Sequence, residues 1–317
     1  MDDLIQRALA GERRAIGRLL TVAERGDEPA TALTTALAGR QHGAHVIGVT
    51  GAPGAGKSTL VAGLVGAMVD RGERPAVLAV DPSSPLTGGA ILGDRVRMAS
   101  VDSVAFVRSI ATRGHAGGLA LAVPGATRVF DATGHAPIVI ETVGVGQVEV
   151  DVTAATDTAV VVVTPGMGDA VQANKAGLLE VADVFVVNKA DLPGAGDARR
   201  DLELMLELGH VTGQEDAEHR PPIVMVDAIR GTGIDELLGA VDAHRELLDR
   251  TGRRAERRRR RLLFELRTTL ELAAVRSVDE VLSTAAGDEA LDAVLSDASS
   301  QQRLVEDLTA LLFSRGR

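Results

Sequence analysis

Residues 46–59 constrain this chain more than any other stretch: Val-Ile-Gly-Val-Thr, then Gly-Ala-Pro-Gly-Ala-Gly-Lys-Ser-Thr. The first five are mostly apolar and β-branched, which predicts a strand buried on both faces. Gly51, Gly54, Gly56, Lys57 and Ser58 then fit the phosphate-loop pattern G-x-x-x-x-G-K-[ST]. Glycines let the backbone curl until successive N–H groups point into one concavity, and the following helix adds its positive N-terminal end. Ala55 and Thr59 complete the cradle. The pattern implies a nucleoside triphosphate site in which Lys57 reaches the β- and γ-phosphates and the Ser58 hydroxyl ligates Mg²⁺. Leu60, Leu64 and Met68 recur at helical spacing just beyond, so strand, loop and helix stand in the required order.

At 317 residues the chain can hold one large domain with attachments, and 45% hydrophobic residues allow a sizeable core. No apolar run approaches the ~20 residues of a membrane-spanning helix. Met1-Asp2-Asp3 lacks the basic-then-apolar order of a secretion signal. The absence of Cys excludes disulfides, thiolate metal sites and cysteine nucleophiles. These features predict a cytoplasmic protein with no membrane partner. A net charge of −10 and aromatics limited to five Phe argue against nucleic acid as a partner. Lysine is scarce: Lys57, Lys175 and Lys189 stand alone among 34 basic residues, the rest being Arg. A bias of that kind leaves Lys where a compact ammonium cannot be replaced, which makes Lys175 a catalytic candidate.

Residues 1–42 carry apolar residues at helical spacing (Leu4, Ile5, Ala8, Leu9, then Ile16, Leu19, Leu20, Ala23) and form an expected N-terminal helical layer. Gly26-Asp27-Glu28-Pro29 is an N-cap signal for a third helix there. From 43 to 232 strand-like runs alternate with helical segments, at 45–50, 76–81, 104–107, 138–142, 158–164, 184–188 and 223–226. Continuous Val/Ile runs predict an α/β fold, a P-loop NTPase with a mostly parallel sheet covered by helices on both faces. Ligands of such sheets sit at the carboxyl ends of the strands, and the motif residues fall there. Residues 233–317 read as a C-terminal helical region, with one helix opened by Ile234, Leu237, Leu238 and Val241 and continued from Arg245 to Leu272, and further segments near 279–284 and 301–313. Its arginines at 253, 254 and 257–261 spread around a helical axis, which predicts a solvated segment, with an acidic partner surface as the functional alternative.

Asn188-Lys189-Ala190-Asp191 fits N-K-x-D at the end of a buried strand. A carboxylate accepts two hydrogen bonds in the plane of guanine, from ring N1–H and the exocyclic amine, where adenine offers the opposite arrangement. The Lys189 stem can lie along the base. Asp227-Ala228, after the seventh strand, stands where guanine-nucleotide proteins usually have Ser-Ala; Ala228 can still give a backbone N–H to the base oxygen. Glu141-Thr-Val-Gly144 resembles D-x-x-G, with Glu141 as a Mg²⁺ ligand and the Gly144 N–H as a γ-phosphate sensor. Val145 occupies the place of the Gln that orients the attacking water, with Gln147 two positions further on as the catalytic candidate. Slow intrinsic hydrolysis that a partner stimulates is the expectation. Asp81 and Asp94, in a loop rich in Pro, Ser and Gly, are further candidates for the Mg²⁺ shell.

Four stretches carry a specific resemblance: DPSSPLTGGAILGDRVRM (81–98), ETVGVGQVEVD (141–151), PGMGDAVQANKAGLLEVADVFVVNKAD (165–191) and the prolines at 221–222. Together they resemble the MeaB/ArgK family, formerly labelled LAO/AO transport ATPases. These GTPases accompany methylmalonyl-CoA mutase and related adenosylcobalamin-dependent mutases, and they share a fold class with the signal-recognition-particle and nickel-insertion GTPases. The resemblance implies a GTP/GDP- and Mg²⁺-dependent chaperone that gates cobalamin delivery to a mutase and protects or reactivates it. An adenosyltransferase is a further candidate partner. It also implies mobile loops at 82–98, 143–152 and 166–180, the last with Asp169, Gln172 and Lys175, and a homodimer formed through a C-terminal arm near 245–275. Departures are Asp227, the missing tryptophans before Leu262-Leu263-Phe264-Glu265-Leu266-Arg267, and the tail after residue 275, which matches nothing in the family pattern.

Two other functions share parts of this pattern. Metal-insertion GTPases of the nickel type tend to carry His- or Cys-rich stores, whereas the seven His here are scattered. A kinase, or an ATPase linked to amino-acid transport, needs adenine selectivity, against which N-K-x-D argues.

Overall fold

The computed structural model describes residues 1–25, 27–81, 105–111, 118–142, 154–166, 182–211, 219–296 and 300–314. Seven strands form one sheet: β1 (Val46–Gly51), β2 (Ala76–Asp81), β3 (Phe106–Ala111), β4 (Ile138–Thr142), β5 (Thr158–Val163), β6 (Val184–Asn188) and β7 (Ile223–Val226). Their order is β3-β2-β4-β1-β5-β6-β7, and every pairing is parallel. β1 lies at the centre, with Gly48 opposite Ile140 of β4 and Gly51 opposite Val162 of β5. All residues of β1, β4, β5 and β6 are buried, the consequence of a parallel sheet covered on both faces. The edge strand β7 alternates between half-buried and buried positions.

Ten named helices accompany the sheet among the described residues. On one face lie α1 (Asp2–Leu9), α2 (Arg13–Ala23), α3 (Glu28–Ala36) and α5 (Gly118–Ala132). They bury Ile5, Leu19, Leu20, Leu33 and Phe130 against Leu78 and Ile138. The side chain of Asp27 accepts from the Ala30 N–H at 3.2 Å and caps α3, with Pro29 in the first turn, as the Gly-Asp-Glu-Pro signal requires. The opposite face is covered by α4 (Lys57–Asp70) and α7 (Ile234–Thr251), whose Leu60, Leu64, Leu237 and Leu238 pack on Val49 and Val139. On the first face, beyond the central strand, α6 (Ala195–Val211) packs Leu202 and Leu206 on Phe185 and Val187.

Two elements differ from expectation by more than a residue at a boundary. β3 runs from Phe106 to Ala111 rather than 104–107. It is an edge strand, so its polar Arg108 and Ser109 need no core; Arg108 instead donates to Thr21 of α2 and to Glu24, which caps the end of that helix. The helix expected to open at Ile234 and continue to Leu272 is interrupted at Gly252, whose φ of 73° ends α7. α8 (Arg253–Leu282) then continues through the segment expected at 279–284, and α9 (Ala285–Ser296) and α10 (Ser300–Ser314) follow.

The arginine run is not simply solvated. Arg254, Arg257 and Arg261 share a side of α8 and meet groups at the amino ends of the strands. Arg254 donates to the Gly43 carbonyl at 2.6 Å. Arg257 grips Asp183 at 2.7 and 3.1 Å, and Arg261 reaches Asp157 at 3.1 Å. Each aspartate also caps a neighbouring strand: Asp157 accepts from Val46 N–H at 2.9 Å and Asp183 from Ala159 N–H at 2.8 Å.

Two compact units divide the chain, Met1–Glu265 and Leu266–Arg317. The first holds the sheet and its covering helices; the second holds the remainder of α8 with α9 and α10, and there the Thr284 hydroxyl accepts from Gly287 N–H at 3.2 Å. Among the described residues no helix is long and apolar enough to cross a membrane.

Candidate nucleotide site

The carboxyl ends of β1, β4, β6 and β7 bring Gly51, Glu141, Asn188 and Asp227 into one region. β1 delivers the chain into a loop whose backbone only glycine tolerates at two points. Gly51 has φ 142° and a side chain there would run into the Val162 carbonyl of β5. Gly56 has φ 85° and would collide with the Asn188 amide. After this turn α4 starts at Lys57, so its N-terminal N–H groups face the loop.

Lys57 is buried and donates from Nζ to the carbonyls of Gly51 at 2.6 Å and Ala52 at 3.0 Å. Its ammonium is thereby held across the mouth of the glycine loop. Ser58 Oγ donates to Glu141 Oε1 at 2.6 Å, and both residues are buried. Thr142 next to it bonds Thr50 at 3.1 Å, which fixes β4 against β1. A hydroxyl and a carboxylate oxygen in contact beside the loop form the hard oxygen set that a Mg²⁺ ion takes. Ala55 is buried inside the loop and Thr59 is exposed on α4.

Asn188 joins three segments. Its Nδ2 donates to the Ala55 carbonyl at 2.8 Å, and its Oδ1 accepts from Ala228 N–H at 3.2 Å. Lys189 takes a left-handed φ of 59° and stretches its Nζ to the Gly54 carbonyl at 2.8 Å. Asp191 is partly exposed and contacts Arg230 at 3.3 Å. Asp227 is nearly enclosed: Oδ1 accepts from the N–H groups of Ile229 and Arg230, both at 3.1 Å, and Oδ2 pairs with the Arg230 guanidinium at 2.9 Å. Arg230 was not among the expected site residues. Its signal was Asp227 itself, a carboxylate at a serine place followed by an arginine three positions on.

Asp81 closes β2, with its side chain outside the described residues. Asp94, Gly144, Gln147, Asp169, Gln172 and Lys175 also lie outside them.

Comparison with known proteins agrees with this geometry. The family described as Methylmalonyl Co-A mutase-associated GTPase MeaB matches residues 16–283. A Pyrococcus abyssi protein named for GTPase activity is 47% identical over 270 residues, covering 84% of this chain and 83% of its own length. The Fused isobutyryl-CoA mutase of Geobacillus kaustophilus is 35% identical over 232 residues, 69% of this chain and 21% of that protein. Among solved structures, the LAO/AO transport system kinase superposes with a TM-score of 0.70 at 26% identity, covering 98% of this chain and 97% of that one. With the phosphate loop, the parallel sheet and the N-K-x-D strand end already in place, the chain belongs to the MeaB family of GTPases.

Proposed function

We propose that this protein is a GTP-hydrolysing chaperone of an adenosylcobalamin-dependent acyl-CoA mutase. It gates delivery of the cofactor to methylmalonyl-CoA mutase or a related mutase, and protects or reactivates that enzyme. The observation that carries the reading is the family match across residues 16–283, which takes in the whole nucleotide site. The similarity to a fused isobutyryl-CoA mutase supports a mutase as the partner.

In this reading the glycine loop and Lys57 hold the β- and γ-phosphates, and Asn188, Lys189, Asp191 and Ala228 hold guanine. Mg²⁺, when bound, screens the phosphate charge and acts as a Lewis acid. Ser58 and Glu141 hold it, with Asp81 and Asp94 as further oxygen donors. Gly144 senses the γ-phosphate; Gln147 and Lys175 are the remaining catalytic candidates. Val145 stands where a water-positioning glutamine is usual, so hydrolysis by the isolated protein is slow and the mutase stimulates it. A homodimer forms through the C-terminal arm near 245–275, where Leu262 and Leu263 are exposed.

The test is GTP turnover by the purified protein, alone and with methylmalonyl-CoA mutase, with ATP as control. Slow turnover that rises with the mutase supports the reading. GTP turnover indifferent to this and other cobalamin mutases removes the chaperone assignment, and a preference for ATP removes the guanine assignment.

A further inference from the structure

We propose that Arg230 is a positioning residue that sets guanine specificity by fixing the carboxylate of Asp191. The proposal rests on the guanine reading of the N-K-x-D strand end. Arg230 Nη1 stands 2.9 Å from Asp227 Oδ2 and 3.3 Å from Asp191 Oδ2, so one guanidinium nitrogen links the loop after β6 to the loop after β7. The link has a firm base. Asp227 is 9% exposed at its side chain, its Oδ1 is filled by two backbone N–H groups, and its own N–H donates to the Thr232 carbonyl at 3.0 Å. A serine at 227 could not hold a guanidinium this way. The departure from Ser-Ala and the arginine three residues on therefore form one device.

The chemistry of the base edge explains what the device does. A carboxylate offers about four lone-pair sites over its two oxygens. The guanidinium pairs with Oδ2 as an ion pair at 3.3 Å, which leaves capacity on both oxygens for the two donors of guanine, ring N1–H and the 2-amino group. Asp191 is 35% exposed, so without a second anchor its carboxylate can rotate and align with one donor at a time. Held by Arg230, it aligns with both. The loss on removing Arg230 therefore falls on the second hydrogen bond, the one that hypoxanthine lacks.

Competitive titration of the full-length protein with GDP and IDP reads this directly. The wild type should prefer GDP to IDP. Arg230→Ala should weaken GDP binding about threefold to fivefold, the scale of one exposed ion pair, and IDP binding by less, so the GDP:IDP ratio falls. Arg230→Lys keeps the charge but not the guanidinium nitrogen that reaches both carboxylates and should lie between. Arg230→Ala also removes the cation from the nearly buried Asp227, so both variants are melted alongside, and a lower melting temperature with an unchanged GDP:IDP ratio counts against the proposal. An unchanged GDP:IDP ratio would overturn the proposal, and so would tighter GDP binding by Arg230→Ala, which would make the arginine a competitor of the base. A wild type that binds ADP as well as GDP would sink the guanine reading itself, and this proposal with it.

Discussion

Asn188 Nδ2 lies 2.8 Å from the carbonyl of Ala55, so the end of the sixth strand is bonded into the middle of the glycine loop. The same side chain receives the Ala228 N–H at 3.2 Å. One buried amide thus holds the loop, the N-K-x-D strand end and the loop after β7 in register. Asn188→Ala leaves a buried carbonyl and a half-buried N–H without their partner, at a cost of about 1–3 kcal/mol. The expected outcome is a lower melting temperature together with GDP affinity reduced by more than tenfold. Thermal melts and a GDP titration check it. A variant that melts earlier yet binds GDP normally would mean the amide serves stability alone.

Beneath the sheet, three buried histidines predict acid sensitivity. Burial pushes His45 down to about 3, and His135 and His244 down to about 4. The hydrogen bonds agree with neutral rings. His244 lies 3.3 Å from Asp183 through Nε2 and 2.8 Å from the Thr158 hydroxyl through Nδ1. The hydroxyl therefore donates to His244 and accepts from His45 Nε2 at 2.8 Å, leaving His45 Nδ1 as an unprotonated acceptor. The unfolded chain binds these protons near pH 6.5 and the folded chain only at lower pH. Stability is therefore complete above 6.5 and is lost as pH falls from there towards 4. By pH 5 each histidine should have cost about 1–2 kcal/mol. Urea unfolding at pH 7.5, 6 and 5 measures the loss, and Thr158→Val should change its size by breaking the relay.

Much of this fold was readable because parallel strands buried on both faces must be apolar throughout. The runs at 138–142, 184–188 and 223–226 appear as strands with the same ends. Edge and docking features were not readable, since they depend on distant partners. β3 extends through Arg108 because Glu24, 84 residues earlier, receives it. Which arginines of α8 turn inward depends on Asp183 and Asp157, separated from them by 74 and 104 residues. Arg230 was missed for a local reason: the motif directs attention to Asp191, and the link to Asp227 exists only once β6 and β7 lie side by side.

The two arginine–aspartate pairs beneath β5 and β6 give the next expectation. Asp183 is buried and bidentately held by Arg257, so Arg257→Ala leaves a carboxylate facing the core with its cation removed. A loss of about 3 kcal/mol is expected. Arg259→Ala, an exposed neighbour on the same helix, should stay within about 0.5 kcal/mol of the wild type. Denaturant unfolding of the two variants separates an anchored arginine from a solvated one. Equal effects would return the whole run to the status of a solvated segment.

Ser58 and Glu141 allow a sharper test of the metal assignment. The 2.6 Å hydrogen bond between them survives Glu141→Gln in principle, because an amide oxygen of the same reach can still accept from Ser58 Oγ. What the substitution removes is the charge. If Glu141 holds only Ser58, GDP binding, GTP binding and turnover should all stay near wild type. If it holds Mg²⁺, GDP binding in EDTA should be unchanged while the tightening of GTP binding on adding Mg²⁺ disappears, and turnover should fall at least about tenfold. Ser58→Ala should reproduce that split, since it removes the other oxygen. A normal Mg²⁺ response in both variants would move the ion to Asp81 and Asp94 and leave the Ser58–Glu141 bond as a brace between α4 and β4.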